Sequence, residues 1–165
     1  MMSKIIINMK DYIFKQGDYG RVFFKKNNTD NVAIKVFFNC EDKPDDHIEK
    51  TFNSEVDAYE IIQKNKDLSK FIPKFYGKVL VDKIISENGE DLSNRFFLNY
   101  AYKMEYIEGH FTKHGRNRSR CNVLKSFIAA GVHCVADCSA IFDDNGNPSK
   151  IIDFATEEFE LRHQD

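Results

Sequence analysis

The sequence has no long apolar run, few cysteines and almost no excess of charge of either sign. No stretch of its 165 residues approaches the roughly 20 apolar residues that a transmembrane helix needs. The N-terminal segment MMSKIIINMKDY has only three consecutive isoleucines, which predicts no cleavable export signal. A formal net charge of −2 argues against a dedicated nucleic-acid binder. We therefore expect a soluble globular chain with neither a membrane nor a nucleic acid as partner.

The cysteines are few, and one run of the chain is locally basic. Four cysteines lack the dense spacing of a disulfide scaffold, so reduced thiols in a reducing compartment are expected. Structural zinc needs four ligands, and His133 beside Cys134 has no second pair of suitable spacing. The run KHGRNRSR at 113–120 is interpreted as a solvated loop, with a binding patch as the alternative.

Alternating apolar residues between turn signals predict five strands before a smaller C-terminal part. The predicted strands are Lys10–Phe14, Arg21–Lys26, Val32–Phe38, Phe75–Lys83 and Phe96–Tyr106. From Asp46 to Lys64 apolar residues recur every three or four positions, which predicts an amphipathic helix. Because Glu55 falls inside the apolar stripe of that helix, its carboxylate is expected to point inward.

A boundary near Glu108 divides the chain into residues 1–107 and 108–165. In the second part, residues 121–130 suit a helix that ends at Gly131. The segments SAIFD and KIIDF, on either side of the turn DDNGNPS, predict a hairpin. The fold class expected is α+β, with a five-stranded antiparallel N-terminal part carrying one helix and a much reduced, mainly helical C-terminal part.

Lys35 lies inside the apolar third strand, where an unpaired ammonium would cost on the order of several kcal/mol. Backbone amides beside Gly17 and Gly20 can approach a polyphosphate, and a lysine two strands later can reach the same phosphates. Glu55 is the available permanent counter-ion. The alternative is that Lys35 and Glu55 form only a buried ion pair in an unrelated α+β domain.

These motifs, in this order, resemble those of the protein kinases. The segment GDYGRV is similar to the end of the kinase Gly-rich loop, although Lys15 stands where the first glycine is usual. VAIK at 32–35 matches the third-strand motif, and KMEYIEG at 103–109 is similar to the hinge. IIDFA at 151–155 matches the DFG segment with alanine in place of glycine. The resemblance implies a kinase-like fold with ATP and Mg²⁺ as cofactors.

The resemblance also implies a role for individual residues. Met104 would be the gatekeeper, while the carbonyl of Glu105 and the amide of Ile107 would hold adenine. Asp153 would be the Mg²⁺ ligand, and Lys35 would bind the α- and β-phosphates as a catalytic residue. The nucleotide-binding residues implied in this way are Gly17, Tyr19, Gly20, Val22, Ala33, Lys35, Glu55, Met104, Glu105 and Ile107.

The catalytic loop departs from the family pattern HRDxxxxN. Here His133 is followed by an aspartate only at Asp137, and no asparagine lies five residues beyond it. Asp137 is the candidate for accepting or orienting the substrate hydroxyl. Counting back from Asp153 places Ser139 where the second metal ligand is usual.

Only 165 − 153 = 12 residues follow Asp153. In the shortness of this segment the chain resembles the minimal kinases that bacteria inject into host cells as type III effectors. One such family phosphorylates the host's ATP-driven heat-shock chaperone. The resemblance implies a constitutively active, monomeric protein kinase that acts on a host protein, with Ser/Thr favoured over Tyr as the target hydroxyl and Tyr left open. It would be secreted into the host cytoplasm if an effector and cytoplasmic otherwise. The alternative is a pseudokinase that binds a partner protein without turnover.

Overall fold

A computed structural model describes residues 4–17, 19–39, 45–113, 122–135 and 138–157. The strands are β1 (Lys4–Asn8), β2 (Tyr12–Gln16), β3 (Gly20–Lys25), β4 (Val32–Phe38), β5 (Phe75–Ile85), β6 (Phe96–Glu105), β7 (Thr112–Lys113), β8 (Ser139–Phe142) and β9 (Pro148–Ile152). The α-helices are α1 (Asp45–Lys64) and α2 (Asn122–Ala129), with 3-10 helices at Ser69–Phe71 and Ser93–Arg95.

Helix α1 carries the apolar stripe that the sequence predicts. Its buried apolar positions include Ile48, Phe52, Val56, Tyr59 and Ile62. This spacing places them on one face of the helix, so the predicted helix is confirmed. The second predicted helix corresponds to α2, and Gly131 just beyond it has a φ of 110°, which glycine adopts without strain.

The chain divides into two compact units. The first comprises the described residues up to Phe52 together with Tyr76–Tyr106, and the second comprises Asn53–Phe75 with the described residues from Ile107 onward. The division passes through α1 and separates the first residue of β5 from the rest of that strand. Neither helix of the described chain is both long and apolar enough to cross a membrane.

The first unit is built on a six-stranded sheet with the order β1-β5-β6-β4-β3-β2. Strand β4 pairs antiparallel with β3 and β6, whereas β1 pairs parallel with β5, with Lys4 opposite Leu80. One group of buried side chains forms the main apolar core of this unit. Its members are Ile7, Phe23, Ile34, Val36, Val81, Ile84, Leu92, Phe96 and Ala101.

The expected kinase-like fold class, with a five-stranded antiparallel sheet and a mainly helical C-terminal part, is wrong. The large sheet has six strands and is mixed, because the apolar run Lys4–Asn8 adds β1 parallel to β5 and buries Ile7 completely. The described C-terminal residues contain the eight-residue helix α2 and a sheet of three strands, so this part of the chain is not mainly helical. The two-residue strand Thr112–Lys113 pairs with β8, which extends the predicted hairpin into a small sheet.

The second unit is organised around an aromatic cluster. The Tyr59 ring stacks on Phe75 with centroids 5.2 Å apart and contacts Phe154 at 4.5 Å. Phe127 of α2 meets Phe154 edge to face at 5.4 Å. Phe154 therefore joins α1 to α2 in this unit, directly after the exposed Asp153.

Candidate nucleotide-binding site

Four of the residues implied by the kinase resemblance share one face of the large sheet. Val22 pairs with Lys35 between β3 and β4, and Ala33 pairs with Met104 between β4 and β6. Directly opposed residues lie on the same face, and positions two apart along a strand do so as well. Val22, Ala33, Lys35 and Met104 therefore form what we call the lysine face. The apolar neighbours Ile34 and Val36 lie on the opposite face, in the main core.

Lys35 is held in an aromatic environment within the first unit. The residue is only 8% exposed, and its Nζ lies 4.9 Å from the ring centroid of Phe37 and 5.9 Å from that of Tyr102. The Phe52 ring of α1 stacks on Tyr102 with centroids 6.4 Å apart. Aromatic faces attract a cation more strongly when water is excluded, so the ammonium is positioned by its surroundings. Lys35 therefore lies between aromatic rings at one face of the sheet.

Gly17, just after β2, and Gly20, the first residue of β3, meet different surroundings. A Cβ on Gly20 would lie 2.5 Å from the carbonyl oxygen of Val36, so β4 itself excludes one. A Cβ on Gly17 would meet only the Gly20 oxygen at 3.5 Å, an ordinary contact. The Gly17 amide donates to that same oxygen at 2.9 Å. Among the described residues a side chain at Gly17 would therefore meet no close obstacle, and the Gly17 amide closes the turn.

Tyr19, at the tip of this turn, is half-buried. Its carbonyl accepts a hydrogen bond of 2.8 Å from the amide of Phe38, which ties the turn to the end of β4. Its ring lies 6.2 Å from that of His47 on α1. Both the backbone and the side chain of Tyr19 therefore contact other residues of the first unit.

The segment that the resemblance likens to a hinge follows the end of β6. Glu105 pairs with Val32, and the next amide, that of Tyr106, donates to the carbonyl of Asn31 at 2.8 Å. The Tyr106 ring stacks on Phe24 at 4.5 Å. Ile107 is half-buried and is the first residue of this segment in the second unit.

The remaining predicted residues belong to the second unit or fall outside the described ranges. Glu55 is buried on α1, as its place in the apolar stripe predicts. Asp153 is exposed just after β9 and has a φ of 63°, a left-handed conformation that aspartate tolerates better than most residues. Asp137 lies outside the described residues, as do 114–120 of the basic run.

The segment after Asp153 is anchored on both sides. The amides of Cys134 and Ala155 each donate to the carbonyl of the other at 3.0 Å. Ser54 Oγ of α1 accepts a hydrogen bond of 2.8 Å from the Glu157 amide. These bonds place the exposed carboxylate of Asp153 at the end of a fixed strand rather than on a long loop.

The described residues include no cluster of three or more His, Cys, Asp or Glu side chains that could hold a metal ion unaided. A magnesium ion that accompanies a nucleotide is usually held by one or two carboxylates plus phosphate oxygens. A single exposed aspartate such as Asp153 fits that kind of binding. It does not fit a metal held by the protein alone.

Sequence reasoning missed the aromatic residues of the site. Tyr102 pairs with Lys35 across β4 and β6, and Phe24 lies two positions from Val22 on the lysine face. The alternation of Tyr100, Tyr102 and Met104 along β6 was an available signal for the first of these. The stack of Phe24 on Tyr106 joins residues that are distant in sequence and had no local signal.

A scan against protein-family models finds no match for the chain, and a search of curated proteins finds no significant match either.

Proposed function

We propose that the chain is an ATP-dependent protein kinase that transfers the γ-phosphoryl group to a hydroxyl of a protein substrate. The observation that carries the proposal is Lys35, buried on the same sheet face as Val22, Ala33 and Met104. Nucleotide sites combine an apolar surface for the base with few, precisely placed polar groups for the phosphates. A buried lysine on an apolar face supplies both features within one unit.

The proposed roles follow the chemistry of phosphoryl transfer, which depends mainly on positioning and charge neutralisation. ATP with Mg²⁺ supplies the transferable phosphoryl group when bound. Lys35 would hold phosphate oxygens, and Val22, Ala33 and Met104 would contact the base. Asp153 would hold the metal, and Asp137 would orient the substrate hydroxyl. The motif resemblance extends the proposal to a host protein as substrate, with the ATP-driven heat-shock chaperone as the first one to test.

A pseudokinase that binds nucleotide and a partner without turnover is the second candidate. The observation that favours it is Ser139, which stands where the resemblance expects a second metal ligand. Ser139 is buried in β8 opposite Ile152 of β9. A hydroxyl is a poorer ligand for Mg²⁺ than a carboxylate or an amide oxygen. Binding and turnover must therefore be measured separately.

Calorimetric titration with ATP and Mg²⁺ tests nucleotide binding. Lys35→Met is expected to weaken ATP binding about tenfold or more, since a hydrogen bond to a charged group contributes about 1.5–3 kcal/mol. Lys103→Met is the matched control, because Lys103 pairs with Ile34 and so lies on the opposite face of the same sheet. Equal affinity of the two variants and the wild type would remove Lys35 from the site.

Incubation with labelled ATP, Mg²⁺ and a eukaryotic lysate tests turnover. The wild type is expected to label protein, and Asp153→Asn and Asp137→Asn are expected to abolish labelling. If the wild type binds ATP but labels nothing, the pseudokinase proposal replaces the kinase proposal. If either aspartate variant labels as well as the wild type, that residue has been given the wrong role.

A further inference from the structure

Strand β2 forms one edge of the six-stranded sheet and carries exposed apolar side chains. Four of its five residues are exposed. Ile13 is 42% exposed and Phe14 is 38% exposed. An edge strand has a row of backbone N–H and C=O groups with which another extended segment can pair. Together with its apolar side chains, this edge has the features of a strand-addition site.

Next to this edge, Arg21 is fixed on an aromatic surface. Its guanidinium carbon lies 4.1 Å from the ring centroid of Phe14, 5.6 Å from that of Phe96 and 5.9 Å from that of Phe38. Its Nε donates to Gln16 Oε1 at 2.7 Å. These contacts hold the guanidinium in one place. In the part of the chain that the structure describes, its terminal N–H groups have no hydrogen-bond acceptor, so a carboxylate of a partner can pair with them.

Arg95 adds a second positive charge near Arg21. Partial burial and the nearby positive charge of Arg95 lower the pKa of the Arg21 guanidinium. Among the described residues no carboxylate lies within ion-pair distance of Arg21. Arg95 has an ion pair with Glu90 at 3.7 Å, and both side chains are well exposed, so this contact offsets little of its charge. Arg21 and Arg95 therefore provide two positive charges near the aromatic surface beside β2.

We propose that the β2 edge, with Arg21 and Arg95, binds an extended acidic segment of a partner protein as an additional strand. Main-chain hydrogen bonds to β2 would give affinity, an apolar side chain would cover Phe14, and carboxylates would pair with the guanidiniums. A second copy of this chain is a poorer occupant, because it would bring the exposed Lys15 and another Arg21 to the same edge.

The part of this surface around Arg21 and Phe14 is separate from the proposed nucleotide site, because Phe14 pairs with Phe23 of the main core. Arg21 pairs with Val36, a residue of the main core, so it lies on the sheet face opposite to Lys35. The inference goes beyond the proposed function and does not depend on it. A chain that lacks kinase activity would still bind such a segment.

Fluorescence anisotropy with a labelled peptide tests the proposal on the full chain. The probe is a short peptide that alternates valine and glutamate. In one control peptide lysine replaces the glutamates. In the other, proline replaces the valines, so the peptide keeps its negative charge but cannot pair as a strand. The acidic peptide is expected to bind at least about tenfold more tightly than either control, and more weakly as salt rises. Equal binding of the three peptides would overturn the proposal.

Variants then locate the binding surface. Arg21→Gln combined with Arg95→Gln is expected to weaken acidic-peptide binding about tenfold or more, while ATP binding stays as in the wild type. Lys66→Gln combined with Lys125→Gln removes the same charge from exposed positions of the second unit and is expected to leave binding unchanged. Phe14→Thr keeps the strand but removes the exposed ring, and it is expected to weaken binding without changing its salt dependence. If the arginine variant binds like the wild type, or the control variant loses as much affinity, the surface is elsewhere.

Discussion

Substitution of Gly20 by alanine separates a packing requirement from a ligand requirement in the β2–β3 turn. The added Cβ would lie 2.5 Å from the Val36 carbonyl oxygen and 3.1 Å from both the Val36 carbonyl carbon and the Phe37 Cα. Favourable carbon contacts have separations of about 3.5–4.0 Å, so one of the two strands would have to move. The obstacle is backbone, which cannot rotate away as a side chain can. Gly20→Ala is therefore expected to destabilise the first unit.

The magnitude follows from two opposing terms. Overpacking of a close contact costs about 1–3 kcal/mol, and a rigid backbone obstacle favours the upper half of that range. Replacing glycine by alanine restricts the unfolded chain, which raises the free energy of unfolding by about 0.4–1 kcal/mol. The expected net loss for Gly20→Ala is about 2 kcal/mol in the free energy of unfolding. For Gly17→Ala the contact of 3.5 Å costs nothing, so a gain of about 0.4–1 kcal/mol is expected.

Urea unfolding of the wild type and the two variants, followed by circular dichroism, measures this difference. An unchanged denaturant slope would show that the free energies can be compared directly. The reasoning is refuted if Gly20→Ala is as stable as the wild type, or if Gly17→Ala loses as much stability as Gly20→Ala. Because Gly17→Ala is expected to fold well, its ATP affinity then shows whether the nucleotide approaches Gly17 closely, without interference from a folding defect.

Two further predictions concern stability. Phe154→Ala removes the ring that joins Tyr59 to Phe127 and is expected to lower the free energy of unfolding by about 3–5 kcal/mol in urea titration, with Phe142→Ala, an exposed ring, as the control. Burial, partly opposed by Lys25, raises the pKa of Tyr12 in the folded chain. The neutral Tyr12 side chain therefore contributes fully to the free energy of unfolding below the unfolded-state pKa of about 10. This contribution is lost as the pH rises through the pKa of Tyr12 in the folded chain. Tyr12→Phe should flatten the decline of stability above about pH 10, and an unchanged decline would contradict that assignment.

The parts of the fold that follow from local pattern were predictable. Val32–Phe38 was predicted with the bounds that the structure shows, because a short apolar run rich in β-branched residues favours a buried strand. β1 was missed because its partner, β5, lies far along the chain. Parallel strands are not joined by a hairpin turn, so no turn residues in the sequence indicate this pairing. The two-residue β7 carries no periodicity, so the C-terminal sheet was predicted only as a hairpin.

The same limit applies to the candidate site. Strand alternation alone predicts that Ala33 and Lys35 share a face, and the register adds Val22 and Met104 to them. The packing role of Gly20 was not predictable, since it depends on how closely β3 approaches β4. A glycine in a turn is expected wherever phosphate approaches closely, but also wherever a neighbouring strand does. Only the structure distinguishes the two causes.

The register of β3 and β4 places Arg21 and Lys35 on opposite faces of one sheet, so the two proposals can be tested independently. Val22 and Lys35 form one pair of directly opposed residues, and Arg21 and Val36 form the adjacent pair. Because adjacent residues of a strand point to opposite faces, a substitution at Arg21 leaves the lysine face intact although it is next to Val22 in sequence. Loss of ATP binding in Arg21→Gln would mean that β3 itself had shifted. Acidic-peptide binding retained in Lys35→Met would show that the β2 edge functions without the nucleotide site.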